Sequence, residues 1–414
     1  MGARLPGVRS TDRIVAHADM DCFYASCERL REPALEGEPL VVGMGYESGE
    51  TNGAVATASY EARAFGVESA QAITEALDRL PRKHEAATDP DLDIETAGFY
   101  RSVDMAFYES VSEEAREILH THAETVREVS IDEAYLDITE QTTWNEVEEF
   151  AHDIKDRIHE EVGVIASIGV APNMSTAKIA SDAEKPDGLV VVHPEEIRDF
   201  LAPVLIEELH GVGPVTARTL RERGIETAGD LVEADRHALV SEFGERGADL
   251  YDRARGKDDR AVTPKGVPKS LSRESAFAEP TTDMEEIETR VLTLAEAVAE
   301  RATRKDALYR TIGIKVVTPP FDVNTRARSL SGPVDDPELV ERVVRDLLTE
   351  FERERVRKVG VRVSNLEFGA AAQSNLDGWA GTSGSTSESD EAVEKSPTDE
   401  PDDRSGQISL SEFE

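Results

Sequence analysis

"EVSIDEAYLDI", Glu128 to Ile138, sets two adjacent carboxylates, Asp132 and Glu133, inside an apolar run. With Arg127 in front, the stretch reads as two strands joined by a tight turn, and the acids stand at that turn. Burying a carboxylate without a partner costs several kcal/mol. Something positive should share the site.

A second acidic pair stands far upstream. "DRIVAHADMDCFY", residues 12–24, begins as a short apolar strand and ends in Asp19 and Asp21. Two residues apart on a strand, both can point to one face. Carboxylates from separate strand ends meet only by folding, and their mutual repulsion then demands a cation. Oxygen-only ligands favour Mg²⁺ or Mn²⁺. Such a pair of ions serves phosphoryl or nucleotidyl transfer, one activating an attacking oxygen and the other holding the triphosphate and leaving group. The plainer alternative is that these acids cap helices or solvate a turn.

Other motifs suit the same chemistry. In "VATASYEARAFGV", Tyr60 and Arg63 are neighbours on one helical turn, and a hydroxyl beside a guanidinium fork suits a phosphate chain. "TAKIASDAEKPDGLVVV" offers Lys178 and Lys185; Lys185 stands before Pro186 at a helix exit, within reach of a phosphate, while Lys178 equally suits a structural role. "HGVGPVTARTL", within the helix–turn–helix pattern of residues 206–225, has a Gly211-Val212-Gly213 turn. Its backbone N–H groups at a helix N-terminus can bind a phosphate oxygen without reading sequence. A plain interhelical turn is the alternative. The last residues, "QISLSEFE", place Gln407, Ile408, Leu410 and Phe413 in the order Gln-x-x-aliphatic-x-x-aromatic, which one turn converts into a pair of anchors on a tether.

The 414 residues suggest two to four domains. Acids outnumber bases 85 to 46, a net charge of −39 that should repel nucleic acid and anionic membranes. Lysine occurs 11 times against 35 arginines. That composition suits very high salt, where the Debye length falls to ~3 Å and net charge loses its reach; an ordinary acidic cytosolic surface is the alternative. Cys22 and Cys27 form no CxxC pair and have no histidine cluster, which excludes a zinc or disulfide framework and fits a reducing cytoplasm. No run of ~18 apolar residues and no apolar leader suggests a membrane or secretory route.

Residues up to about 190 alternate strands with helices, the pattern of an α/β layer, with one long helical stretch at 99–120. Short helices follow from His193. A proline-bearing linker, "TPKGVPKSLSRES", leads to a second α/β unit at 271–368, where "NTRARSL" sets Arg326 and Arg328 on one face of a strand. From Ala370 the chain is disordered by composition, with 11 acids and 2 bases in 371–414.

In this order, "ADMDCFYASCE", "VATASYEARAFGV", "SIDEAYLDIT", "AKIASDAEKPDG" and "HGVGPVTARTL" resemble the Y-family of translesion DNA polymerases, in its DinB or DNA polymerase IV branch, over residues 12–368. The acidic composition and tail look like those of halophilic archaea. The resemblance implies an α/β and α+β multidomain right hand: a ferredoxin-like palm at 12–22 and 94–192, small fingers at 23–93, a helix-hairpin-helix thumb at 193–260, a linker at 261–270, a little finger at 271–368, and an acidic tail at 370–414. It implies template-directed, low-fidelity DNA synthesis opposite damaged bases, with two Mg²⁺ ions, replaceable by Mn²⁺, held by Asp19, Asp132, Glu133 and the Met20 carbonyl. Glu133 would be the catalytic carboxylate; Asp21 belongs to the motif. Tyr24 matches the steric gate that excludes a ribose 2′-hydroxyl, with Phe23 in its floor. Tyr60, Arg63 and Lys185 match triphosphate contacts, Ala56 and Ala58 a small-residue roof over the base, and Gly211 and Gly213 contacts to the DNA backbone. Gln407, Leu410 and Phe413 resemble the binding box for the sliding clamp PCNA, with Glu414 where a second aromatic is usual. The implied partners are primer-template DNA, deoxynucleoside triphosphates and that clamp, with no membrane, in a cytoplasmic monomer. Arg273, Arg310, Arg326, Arg328, Arg357, Lys358 and Arg362 are the candidate DNA-facing bases. A nucleotide cyclase or nuclease on a palm-like sheet, and a catalytically dead clamp-tethered scaffold, are the rival readings.

Overall fold

All six residues of Val15–Met20 are buried, because this strand, β1, is the middle strand of a five-stranded sheet. The computed structural model describes residues 13–368, in two units, 13–265 and 266–368. In the first unit, β2 (Leu40–Met44), β3 (Ala54–Ala58) and β4 (Phe99–Ser102) form a separate three-stranded sheet in the order β3-β2-β4. Further along, β5 (Thr125–Glu128), β6 (Glu133–Asp137), β7 (Ala166–Ala171) and β8 (Leu189–Val191) join β1 in the order β5-β6-β1-β7-β8. β1 is antiparallel to both neighbours, and Asp19 lies opposite Glu133 on one side and Ser167 on the other.

Helices cover this sheet. The helix Met105–His122 buries Tyr108, Val111, Ala115, Ile118 and Leu119, the spacing of one apolar stripe. The helix Met174–Ala183 lies on β7 and β1. It approaches so closely that a Cβ at Gly169 would run into the backbone at Ala177 and Ser181; glycine there sets the height of Lys178 above the strand ends. Asn173 caps this helix through Thr176 N–H at 2.9 Å.

Two local expectations need correction. Residues 99–120 are not one helix: Phe99–Ser102 is β4, parallel to β2, and the helix begins at Met105 with Asp104 as its cap. Pairing with β2, and the buried Tyr100 hydroxyl donating to the Leu80 carbonyl at 2.7 Å, override the helical spacing. The helix expected before Gly211 is a single 3₁₀ turn, Ile206–Glu208, while Pro214 at the first position starts the helix Pro214–Arg221.

From Ile197 to Ala254 short helices enclose Leu201, Ile206, Leu220, Leu231, Leu239 and Leu250. Asp258 ties this helical part to the sheet. Its carboxylate accepts from the Ser175 N–H (3.1 Å) and hydroxyl (2.6 Å) at the start of the helix Met174–Ala183, and from Arg260 (2.8 Å).

The second unit runs β-α-β-β-α-β: β9 (Ser270–Thr281), the helix Met284–Arg304, β10 (Ala307–Thr318), β11 (Asp322–Val334), the helix Pro337–Leu348 and β12 (Val356–Phe368). Its sheet is antiparallel in the order β11-β10-β12-β9. Ile312, Ile314 and Val316, opposite Val363, Val361 and Val359, face the helices and form the core. Arg326 and Arg328 do share one side of β11, but they lie opposite Ile314 and Ile312 and so are on the helix side. There they pair with Glu350 (2.6 Å) and Asp346 (3.0 Å).

Candidate active site

The carboxylates converge through strand register. Asp19 near the end of β1 and Glu133 at the start of β6 are cross-strand partners. Between β5 and β6, Ser130 closes the turn: its hydroxyl donates to Asp132 Oδ1 (2.5 Å) and accepts from the Glu133 N–H (3.1 Å). The Met20 N–H donates to the Asp132 carbonyl (3.0 Å), which locks the turn to the strand end. The helix Met105–His122 holds the turn from the other side, Ser112 donating to the Ile131 carbonyl and Arg116 to that of Ser130 (2.7 Å).

The positive partners of these acids are lysines. Lys178 Nζ is 2.7 Å from Asp19 Oδ2 and also pairs with Glu133 Oε1; Lys185 Nζ is 2.6 Å from Asp19 Oδ1. Both lysines also meet Asp182, at 3.3 and 2.9 Å. Burial pushes the Asp19 carboxyl up, but Lys178 and Lys185 outweigh it and hold the group well below the usual carboxylate range. Glu133 is pushed up to about 7, by burial and by the Asp19 charge against the opposing pull of Lys178. Asp132 is raised by burial and by Asp19. Lys178 itself, despite burial, is raised by Asp19 and Glu133.

Sequence reasoning undervalued Lys178. The available signal was a lysine on a helix of a lysine-poor chain, one turn before Asp182 and seven residues before Lys185.

Asp21 lies past the end of β1, where strand alternation no longer applies, and it does not join this group. Its carboxylate accepts from Ser167 Oγ (2.8 and 3.0 Å), the Asp187 N–H (2.7 Å) and the Tyr60 hydroxyl (3.2 Å). It is a junction among β7, the loop after Lys185 and the helix Tyr60–Ala64. On that helix the Arg63 guanidinium lies over the Tyr60 ring at 4.9 Å, and its Nε donates to the Ala58 carbonyl at 3.0 Å. Ala56 and Ala58 are both buried on β3.

The helix Phe23–Arg31 starts directly after the carboxylate strand, so Phe23 and Tyr24 stand four and five residues beyond Asp19. Tyr24 is 2% exposed, its ring stacked on Tyr108 at 4.7 Å and 20°. The Tyr108 hydroxyl donates to the buried Glu28 at 2.7 Å. Phe23 is equally buried, 6.0 Å from Tyr24 between ring centroids.

Away from these residues, Gly211 takes φ +93°, a conformation open to glycine. Its carbonyl accepts from Arg246 (2.6 Å), and that of His210 from Arg253 (2.9 Å). Gly213 is the cap of the helix Pro214–Arg221. Gln407, Leu410 and Phe413 lie outside the described residues.

Among the described residues no three histidine, cysteine or acidic side chains are spaced as a ready cage for a metal ion. The donor set nevertheless fits hard divalent cations: Asp19 at the end of β1, Glu133 at the start of β6 and Asp132 in the turn before it offer only oxygens, and the Lys178 ammonium stands in between Asp19 and Glu133 as a cation. No helix among the described residues is long and apolar enough to cross a membrane.

Comparison with known proteins finds relatives over most of the chain. Residues 18–182 match the impB/mucB/samB family, residues 268–376 its C-terminal domain, and residues 207–258 a thumb domain described from DNA polymerase iota. DNA polymerase IV of Halobacterium salinarum is 61% identical, covering 92% of both chains. DNA polymerase IV of Methanoculleus marisnigri is 40% identical over 88% of this chain and 98% of its own. Among solved structures, a Y-family DNA polymerase chimera of Dbh and Dpo4 superposes with a TM-score of 0.73 at 30% identity, covering 86% of this chain and all of the other. An insertion ternary complex of Dbh DNA polymerase gives 0.61 at 29%, with the same coverage.

Proposed function

The chain belongs to the Y family of DNA polymerases, is a DNA-directed DNA polymerase of the translesion DNA polymerase IV type, and from that premise we propose how its residues divide the work. Enzymes of this family depend on divalent metal. Asp19, Asp132, Glu133 and the Met20 carbonyl would hold two Mg²⁺ ions, or Mn²⁺ in their place. Bound there, the ions supply charge neutralisation at the triphosphate and favour attack by the primer hydroxyl on the α-phosphorus.

The chain's own groups do the rest. Glu133 is the catalytic carboxylate, at the register partner of Asp19. Lys185, Arg63 and Tyr60 receive the triphosphate from two sides, and Asp21 fixes Tyr60 in place. Tyr24, braced flat against Tyr108, underlies the sugar and excludes a 2′-hydroxyl, with Phe23 beside it. Ala56 and Ala58 leave the base loosely checked, which admits damaged templates and lowers fidelity. Gly211 and Gly213 contact the DNA backbone, and the helix-free face of the second unit's sheet contacts DNA through Lys315, Lys358 and Arg362. Gln407, Leu410 and Phe413 engage a PCNA-type sliding clamp.

The observation that supports this reading is that Asp19 and Glu133 are cross-strand partners at the ends of two neighbouring central strands, with Asp132 one residue before Glu133 and with Lys178 and Lys185 on Asp19. Primer extension on damaged and undamaged templates, in Mg²⁺ and molar KCl, tests it. Asp132→Ala should lose extension by about a hundred- to a thousandfold, and Tyr24→Ala should accept ribonucleotides while still extending with deoxynucleotides. Equal extension by wild type and Asp132→Ala defeats the metal assignment; unchanged sugar choice in Tyr24→Ala defeats the gate.

A further inference from the structure

Among the described residues of the second unit, both helices pack on one face of the sheet and the other face carries neither. Register puts Lys315 (β10) opposite Gly360 (β12), and Gly360 opposite Glu274 (β9). Lys315 and Glu274 thus stand two strands apart, about 10 Å between backbones. They nevertheless meet at 2.9 Å, because nothing but backbone lies between them at Gly360. A Cβ added at Gly360 would come within 2.7 Å of Glu274 Cγ. The other carboxylate oxygen takes Lys358, two residues from Gly360 on the same face. One carboxylate, its side chain 18% exposed, therefore holds two ammonium groups on the face assigned above to DNA. The two lysines hold its carboxyl below the usual range against the effect of burial.

We propose that Glu274 is a built-in substitute for a DNA phosphate: it occupies Lys315 and Lys358 until a backbone phosphate displaces it. The proposal rests on the assignment of this face to DNA. Its physical consequence concerns salt. Each duplex phosphate neutralised by a protein cation contributes about −0.9 to the slope of log K against log [salt], through release of condensed counterions. When a phosphate takes the two lysines, Glu274 is left charged and gathers a counterion of its own. That uptake cancels about one released ion, so binding is weaker but less sensitive to salt than the count of cations implies. For a protein of net charge −39 suited to concentrated salt, such an exchange keeps DNA contact possible where plain attraction is screened.

The test is fluorescence anisotropy of the full chain with a labelled primer-template across a KCl series, without nucleotide. Glu274→Gln should bind about five- to tenfold tighter at the low end of the series and steepen the slope by about 1. Gly360→Ala, which pushes the Glu274 stem off the strand without altering any charge, should shift the slope the same way. Lys315→Gln/Lys358→Gln should bind more weakly, with a slope close to that of the wild type, because the ion released from the phosphate and the ion taken up by Glu274 are lost together. If that double variant weakens binding while Glu274→Gln binds equally or less tightly, Glu274 merely orders the lysines and the proposal fails. If all three variants behave as wild type, the face does not meet DNA and the assignment beneath the proposal fails.

Discussion

Lys178 answers the question posed by two half-buried acids in "SIDEAYLDI": a cation sits between Asp19 and Glu133, and it comes from the chain itself. Lys178→Met, close in length and uncharged, leaves the carboxylates to repel one another. The metal-free protein should lose about 2–3 kcal/mol, an effect typical of breaking a partly buried ion pair, read as a fall of about 5–10 °C in melting temperature. Saturating Mn²⁺ should return much of that loss, since a divalent cation replaces the missing charge. An unchanged melting temperature in EDTA would show that Lys178 does not balance these acids. Asp19, Asp132, Glu133 and Tyr24 could be singled out from the sequence because the motifs that hold them are short and local. The role of Lys178 could not, because it depends on how closely a helix approaches β7, and that distance is set by the missing side chain of Gly169, with no local pattern at Lys178 to reveal it.

The strand pair with a tight turn read in residues 127–138 is present, its first strand starting two residues earlier at Thr125, because the alternation of "EAYLD" and the Ser130–Asp132 turn are both local signals. Residues 99–102 could not be read this way: four residues carry too little periodicity, and their partner β2 is distant in sequence. The turn before Gly211 misled for a different reason, since "IEEL" has helical composition but too few residues before the glycine to propagate a helix. Asp258 is the link between elements that sequence gave no reason to single out. Burial raises its carboxyl, yet Arg260 and Ser175 outweigh that and hold it well below the ordinary range. Its folded-state value is therefore depressed. The stability it contributes is present above the unfolded value of about 3.9 and is lost as pH falls through the folded one. Asp258→Asn should destabilise the protein by about 2 kcal/mol at neutral pH and flatten the acid limb of a melting-temperature profile below about pH 5. A variant with the wild-type acid limb would remove Asp258 as the link.

A chain with 85 acids and 46 bases binds DNA only if its cations are placed rather than merely counted. Expecting Arg326 and Arg328 on an open face took account of strand alternation but not of which side the helices occupy. Sequence alternation is symmetric between the two faces, and only packing breaks the symmetry. On the free face the cations are Lys315, Lys358 and Arg362, with Glu274 among them. The same logic operates at the strand ends of the first unit, where Lys178 and Lys185 offset Asp19 and Glu133. The proposed chemistry therefore depends on divalent cations taking the place beside Asp19, Asp132 and Glu133. The direct measurement is a Mn²⁺ titration followed by electron paramagnetic resonance, with chain-terminated primer-template and the matching deoxynucleotide, in molar KCl to screen diffuse binding by the acidic surface. Wild type should take up two ions tightly, and Asp132→Asn and Glu133→Gln should each lose at least one or weaken it by about tenfold or more. Equal uptake and affinity in all three proteins would contradict the account.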